Sequence, residues 1–140
     1  MGIQSVSPIR VVFIGLIAGL LFAVADALIN ANPLAQDLYD VYRPIARSSI
    51  NAPLGLAFDL ISGIVMSFLF VVLRSALPGG VVTKGMAFGA IAWFFRVAMG
   101  SAAQLVMFRM TAPALLYGLF TGLAEMLILG IFYGVLLKSA

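Results

Sequence analysis

Four long apolar segments constrain this chain more than any other feature. They cover residues 11–31, 53–77, 84–108 and 113–137. Each has about 21 to 25 residues, enough for an α-helix to cross the roughly 30 Å hydrocarbon layer of a membrane. Because lipid offers the backbone no hydrogen-bond partners, such segments cross as helices rather than as open strands. The sequence therefore predicts an all-α integral membrane protein with four transmembrane helices.

The composition excludes the other common classes of protein. Of the 140 residues, 64% are hydrophobic and 9% are charged, whereas about a quarter of a soluble domain is charged. The chain has no cysteine and no histidine, so we expect no disulfide, no metal, no other cofactor and no enzymatic activity based on a thiol or an imidazole. Its eight basic residues are scattered singly, which argues against binding to nucleic acid.

The connections between the segments predict how the helices are arranged. Residues 78–83 join the second segment to the third, and residues 109–112 join the third to the fourth. Connections this short place consecutive helices side by side and antiparallel. We expect residues 1–140 to form a single membrane domain, an antiparallel four-helix bundle surrounded by lipid.

The longer first connection has a pattern of its own. Apolar residues recur with helical spacing through residues 33–47, opposite polar ones, which predicts a short amphipathic helix at the membrane surface. Pro44 is expected to end or kink this helix. It either covers the end of the bundle or offers a surface to a partner. The residues expected at the level of the lipid headgroups are Tyr39, Tyr42 and Arg43.

The first segment admits two interpretations. A preceding Arg10 and the small residues Ala25 and Ala27 are also features of a cleaved signal peptide. The length of the apolar segment and the presence of Asp26 within it favour a retained transmembrane helix.

Basic residues predict the orientation only weakly. Four lie on the side of the two termini and three on the other side, which favours cytoplasmic termini and leaves dual topology open. We expect a multi-pass protein of the cell membrane, in bacteria the cytoplasmic membrane. The two groups are Arg10, Arg74, Lys84 and Lys138, against Arg43, Arg47 and Arg109.

Glycines recur four residues apart in three of the four segments. In lipid, such pairs allow helix backbones to approach closely. We expect them to pack helices within the bundle or against another subunit. The pairs are Gly15 and Gly19, Gly85 and Gly89, Gly118 and Gly122, and Gly130 and Gly134.

The two halves of the chain resemble each other. They derive either from a duplication, which would give two parallel hairpins related by an axis along the membrane normal, or from a shared packing pattern of glycine-rich helices. In the first and third segments, Gly15-x3-Gly19-x6-Asp26 matches Gly85-x3-Gly89-x6-Arg96 at an offset of 70. In the second and fourth, Gly55-Leu56-Ala57 and Gly63-Ile64 match Gly122-Leu123-Ala124 and Gly130-Ile131 at an offset of 67.

Each segment also carries one ionisable residue that lies well away from its ends, or nearly so: Asp26, Asp59, Arg96 and Glu125. Because a charge at the bilayer centre costs roughly 2.5 to 3.5 kcal/mol, these side chains should face inward and find partners. Arg96 and Glu125 lie about 12 residues from the same end of consecutive antiparallel helices, so we expect them to form an ion pair near the midplane.

An aromatic cluster precedes the arginine of the third segment. Trp93, Phe94 and Phe95 either face lipid, which is the favoured interpretation, or stack on the guanidinium of Arg96.

The charge cluster either fixes the register of the helices or lines a pathway for cations or protons. The leading prediction is a non-catalytic accessory or structural subunit, or a scaffold, packed against other membrane chains or a second copy. The alternative is a small oligomeric transporter or channel for protons, cations or small solutes that uses the buried carboxylates. An intramembrane enzyme is disfavoured, because no protease Gly-Asp motif surrounds the aspartates.

Overall fold

Four long apolar helices dominate the structure, a computed structural model that describes residues 6–138. The predicted antiparallel bundle of four membrane helices is confirmed, as is the presence of short helices between the first two. In chain order the α-helices are α1 (Pro8–Asn30), α2 (Pro33–Leu38), α3 (Ala52–Leu73), α4 (Val81–Trp93), α5 (Met99–Met107) and α6 (Ala112–Leu136). A π-helical turn, Phe94–Ala98, joins α4 to α5, and these three elements form the third span.

A polar residue followed closely by proline starts three of the helices. The side chains of Asn32, Asn51 and Thr111 accept hydrogen bonds from backbone N–H groups in the first turns of α2, α3 and α6. These side chains satisfy donors that have no partner within the helix, and the proline lacks the N–H that would otherwise need one.

The surface segment forms two short pieces rather than the single helix expected over residues 33–47. Helix α2 ends at Leu38, and a 3₁₀ turn follows over Asp40–Ile45 with Pro44 inside it. Proline has no N–H to donate, which weakens an α-helical continuation. The second span is also shorter than expected, since α3 ends at Leu73 and the remaining residues to 77 form a turn.

The bundle is built from two hairpins. Helix α1 packs along α3, α4 packs along α6, and the hairpins meet mainly through α1 and α6. Three aromatic rings from three different spans form the centre of the core. Phe70 and Phe88 lie edge to face with their ring centroids 5.3 Å apart, and Tyr133 lies 6.3 and 6.0 Å from them.

Glycines set the distance between the two helices of the first hairpin. A β-carbon on Gly15 would lie 2.6 Å from the Cα of Ile64, and one on Gly63 would lie 2.7 Å from the Cα of Gly19. Non-bonded carbons do not approach this closely, so these positions admit no side chain. We call Gly15, Gly19 and Gly63 the first glycine seam.

The second hairpin repeats these contacts. A β-carbon on Gly85 would lie 2.8 Å from the Cα of Ile131, and one on Gly130 would lie 2.9 Å from the Cα of Gly89. Each contact is the counterpart of one in the first seam at the offsets of 70 and 67 seen in the sequence. Gly85, Gly89 and Gly130 therefore form a second glycine seam with the geometry of the first.

Basic side chains close the end of the bundle where α1 begins and α6 ends, which we call the terminal face. The Arg10 guanidinium donates to the carbonyl of Leu136 over 2.8 Å, and that of Arg74 donates to the carbonyl of Leu137 over 2.6 Å. The last carbonyls of a helix lack partners and carry partial negative charge. The first hairpin thus supplies the cations that complete the end of α6.

Candidate functional site

A cavity of about 250 Å³ lies between the two hairpins. Tyr39 and Asn30 line it at the covered face, the end of the bundle where α2 lies, and three charged side chains line its inner part. Between these levels polar and apolar residues both line the wall. The charged residues are Asp26, Arg96 and Glu125, and the polar ones include Ser101, Gln104 and Thr121. The cavity can therefore hold water or a polar solute inside an otherwise apolar bundle.

Glu125 is the most deeply buried ionisable group of the cavity. Only 8% of the residue is exposed, and within residues 6–138 its Oε1 atom has no hydrogen-bond partner. Burying a carboxyl oxygen without a partner is costly. A group in this position indicates that something outside the polypeptide, such as water, a proton or a solute, completes the site.

Two further carboxyls lie beside Glu125. The carboxyl of Asp26 is within hydrogen-bonding reach of the carboxyls of both Asp59 and Glu125, so one acid from each of α1, α3 and α6 meets at one place. Because an ionised carboxylate only accepts hydrogen bonds, a carboxyl pair in contact needs a proton or a bound cation between its oxygens. No group of three acidic side chains in the described part of the chain has the arrangement of a metal site.

Arg96 lies in the π-helical turn and faces the first hairpin. Its Cζ atom lies 4.4 Å from the ring centroid of Phe22 on α1, within the range of a cation–π contact. The predicted ion pair with Glu125 is not formed, and within residues 6–138 the guanidinium has neither an ion pair nor a hydrogen bond. A π turn adds a residue to the helical repeat and is often found at functional sites. Here it places the guanidinium beside Phe22 in the lining of the cavity.

The aromatic residues before Arg96 do not stack on it. Phe94 and Phe95 are exposed on the outside of the bundle and contact each other with their ring centroids 5.3 Å apart. Trp93 is half-buried, and its indole N–H donates to the carbonyl of Leu119 on α6 over 2.9 Å. Two of the three rings thus lie where lipid would contact them, and the third ties the third span to the fourth.

Tyrosines attach the surface segment to the end of the bundle. The hydroxyl of Tyr117 donates to the carbonyl of Ile29 over 2.6 Å and accepts from the side chain of Asn32 over 2.8 Å. The hydroxyl of Tyr42 lies 3.0 Å from the side-chain oxygen of Gln104. The segment therefore borders the cavity at the covered face, where Tyr39 is part of the lining.

Tyr39 belongs to the same cluster, whereas Arg43 does not. Burial, with smaller contributions from Tyr117 and Tyr42, raises the pKa of Tyr39 above its ordinary value of 10.0. Arg43 forms an exposed ion pair with Asp40 over 2.8 Å, within its own 3₁₀ turn. Only the tyrosine side of this segment faces the cavity.

The eight glycines of the predicted pairs all pack inside the chain. Six of them lie in contacts between α1 and α3 or between α4 and α6: Gly15, Gly19, Gly85, Gly89, Gly130 and Gly134. Gly122 faces Val97, and Gly118 faces the hydroxyl of Tyr39. All eight therefore have a packing partner within the monomer.

Two residues near the charges were not singled out from the sequence. Phe22 contacts Arg96, and Thr121 lines the cavity. Each lies four residues before an acid of the cluster, Asp26 and Glu125 respectively. Residues four apart share a helix face, so this spacing could have identified both.

Comparisons with family models, with curated proteins and with solved structures gave no match.

Proposed function

We propose that this protein is a small transporter or channel that moves protons, cations or small solutes by means of its buried carboxyls. The observation that carries the proposal is the position of Glu125, an unpartnered carboxyl at the inner end of a polar cavity. Ionisable groups inside a membrane are expensive and are typical of ion and substrate pathways. A purely structural cluster would be expected to satisfy its own hydrogen bonds.

The shape of the cavity supports a pathway that is open on one side. Its lining runs from Tyr39 at the covered face to Arg96 and Glu125. Toward the terminal face the way is blocked by the buried rings of Phe70 and Tyr133. In this proposal the described conformation is the one open toward the covered face, and transport requires the two hairpins to move against each other.

A flux measurement tests the proposal. Purified protein is reconstituted into liposomes that contain a pH-sensitive dye, and proton uptake is followed under an imposed gradient. We expect Glu125→Gln to lower the flux by about tenfold or more, since it replaces the buried carboxyl at the inner end of the cavity with a neutral amide. Asp37→Asn is the matched control, because Asp37 is an exposed acid on α2 outside the cavity. Equal flux in wild type and Glu125→Gln would overturn the proposal.

A role as an accessory subunit is the second candidate, and helix α5 favours it. No residue of Met99–Met107 is buried within the chain, and Val106 and Met107 are 87% and 67% exposed. Another membrane chain could cover this helix. Native mass analysis after purification in a mild detergent tests this role, for which we expect stoichiometric co-purification with other chains. A lone monomer or homodimer would contradict it.

A further inference from the structure

We infer that the cavity binds a small zwitterionic solute, with its anionic group at Arg96 and its ammonium group at Asp26 and Glu125. The inference specifies the solute for the proposed transport function and rests on the same cavity. It is independent of whether the bound solute is moved across the membrane.

The first argument is that opposite charges share the cavity without pairing. Arg96 and Glu125 both line it, yet they form no ion pair within the described residues. In a medium of low dielectric constant a guanidinium and a carboxylate attract each other strongly. Their separation leaves both groups with unused hydrogen-bonding capacity, and a solute with one charge of each sign can bridge them.

The second argument concerns the anionic group of the solute. The guanidinium of Arg96 has five N–H donors in a plane, a geometry that matches a carboxylate or a phosphate. Phe22 contacts it through a ring, which offers no conventional acceptor to those donors. Arg96 thus lies beside α1, and no residue of the described chain accepts a hydrogen bond from its donors, which leaves them available to a planar anion.

The third argument concerns the ammonium group. An ammonium has three donors and no acceptor. The unpartnered Oε1 of Glu125 and the adjacent carboxyl of Asp26 supply acceptors close together on two helices. An ammonium bound there could donate to both carboxyls at once.

The size of the cavity restricts the solute to a small molecule. At about 30 Å³ for each water, a volume of about 250 Å³ corresponds to roughly eight waters. Such a space fits a molecule of about ten heavy atoms, the size of an α-amino acid. Val97 and Leu115 add apolar surface to the wall, and Ser101 and Thr121 add hydroxyls, so a short side chain of either character can be accommodated.

Binding to the full-length protein in detergent micelles tests the inference without a transport step. The probes are serine, valine, leucine and glutamine, each compared with its amide, which keeps only the ammonium, and its N-acetyl form, which keeps only the carboxylate. Isothermal titration gives each Kd. We expect at least one amino acid to bind, with its amide and N-acetyl forms about tenfold weaker or worse. If none of the four binds, or if an amide binds as tightly as its parent, the inference is overturned.

Variants assign the two charges. We expect Arg96→Gln and Glu125→Gln to abolish binding of the amino acid, while Arg43→Gln, which changes an exposed arginine outside the cavity, leaves it unchanged. Should either cavity variant fail to fold, the comparison of amino acid, amide and N-acetyl form on the wild-type protein still decides the question. Amino-acid binding without flux would overturn the transport function alone. Proton flux without amino-acid binding would overturn this inference alone.

Discussion

The hydroxyl of Tyr133 donates a 2.7 Å hydrogen bond to the backbone carbonyl of Gly63 and so joins the fourth span to the second. Tyr133 is fully buried, and its ring lies against Phe70 and Phe88. This bond links the two hairpins at a position where lipid and water are both excluded.

Removing that hydroxyl should weaken the bundle measurably. We expect Tyr133→Phe to lower the free energy of unfolding by about 1 kcal/mol, the usual value of a hydrogen bond between membrane helices. Unfolding by a denaturing detergent in mixed micelles measures it. Thr121→Val is the control, because the Thr121 hydroxyl bonds to carbonyls of its own helix. Equal losses in the two variants would show that the Tyr133 bond does not join the hairpins.

The two glycine seams should respond alike to substitution. We expect Gly63→Ala and Gly130→Ala each to lower the free energy of unfolding by about 2 kcal/mol or more, since a β-carbon at either position would meet the backbone of the facing helix. Gly55→Ala and Gly100→Ala are matched controls, because a β-carbon there would meet nothing within 4 Å.

The controls should be neutral or stabilising by up to about 1 kcal/mol, the difference in helix propensity between glycine and alanine. The measurement is the same detergent titration. Tolerance of alanine at either seam, with normal stability, would contradict the packing described for that hairpin.

The orientation of the chain can be tested with single cysteines, because the sequence has none of its own. Ser48 lies in the connection at the covered face, Ser75 lies in the turn at the terminal face, and both are exposed. We expect Ser48→Cys to react with a membrane-impermeant maleimide in intact bacterial cells, and Ser75→Cys to react only after permeabilisation. The reverse result would place the termini outside, and labelling of both in intact cells would indicate dual topology.

The tyrosine cluster should respond to alkaline pH. The pKa of Tyr39 is raised in the fold by burial and by its two tyrosine neighbours, so folding favours the neutral phenol. Its contribution to stability is therefore fully present below the ordinary pKa of 10.0 and is lost as pH rises through the raised value.

The near-ultraviolet absorbance of tyrosinate measures this ionisation in the folded protein. Subtracting the titration of Tyr39→Phe from that of the wild type isolates Tyr39, and we expect a midpoint above 10.0. A midpoint at or below that value would mean that Tyr39 is not covered by Tyr42 and Tyr117.

The helices were predictable because the bilayer sets their length and because polar residues with proline mark their starts. Asn51 and Thr111 each stand two residues before a proline, and in the structure they cap α3 and α6. The end of α3 was less predictable, because residues 74–77 carry no glycine or proline to stop a helix. There the Arg74 carbonyl accepts a hydrogen bond from Lys84 at the start of the next span, a partner distant in sequence.

The contacts of the charges were harder to predict than their depth. Counting residues placed Arg96 and Glu125 at one level, and both do line the same cavity. The direction of Arg96 depends on the π turn, because one extra residue rotates a helix by about 100°. Nothing in Phe94–Ala98, which lacks glycine and proline, marks that turn. The partner of each glycine was equally hidden, since spacing identifies a close approach but not the facing helix.

The division into two seamed hairpins has a consequence for how the protein is made. Helices α1 and α3 complete their seam from residues of the first half alone, so this pair can pack before the second half leaves the ribosome. At that stage Asp26 and Asp59 lie together in the membrane without Arg96. When the second hairpin packs against the first, it brings Arg96 close to these acids and separates them from lipid. Biogenesis therefore ends with the docking of two preformed halves, and that step encloses the cavity between them.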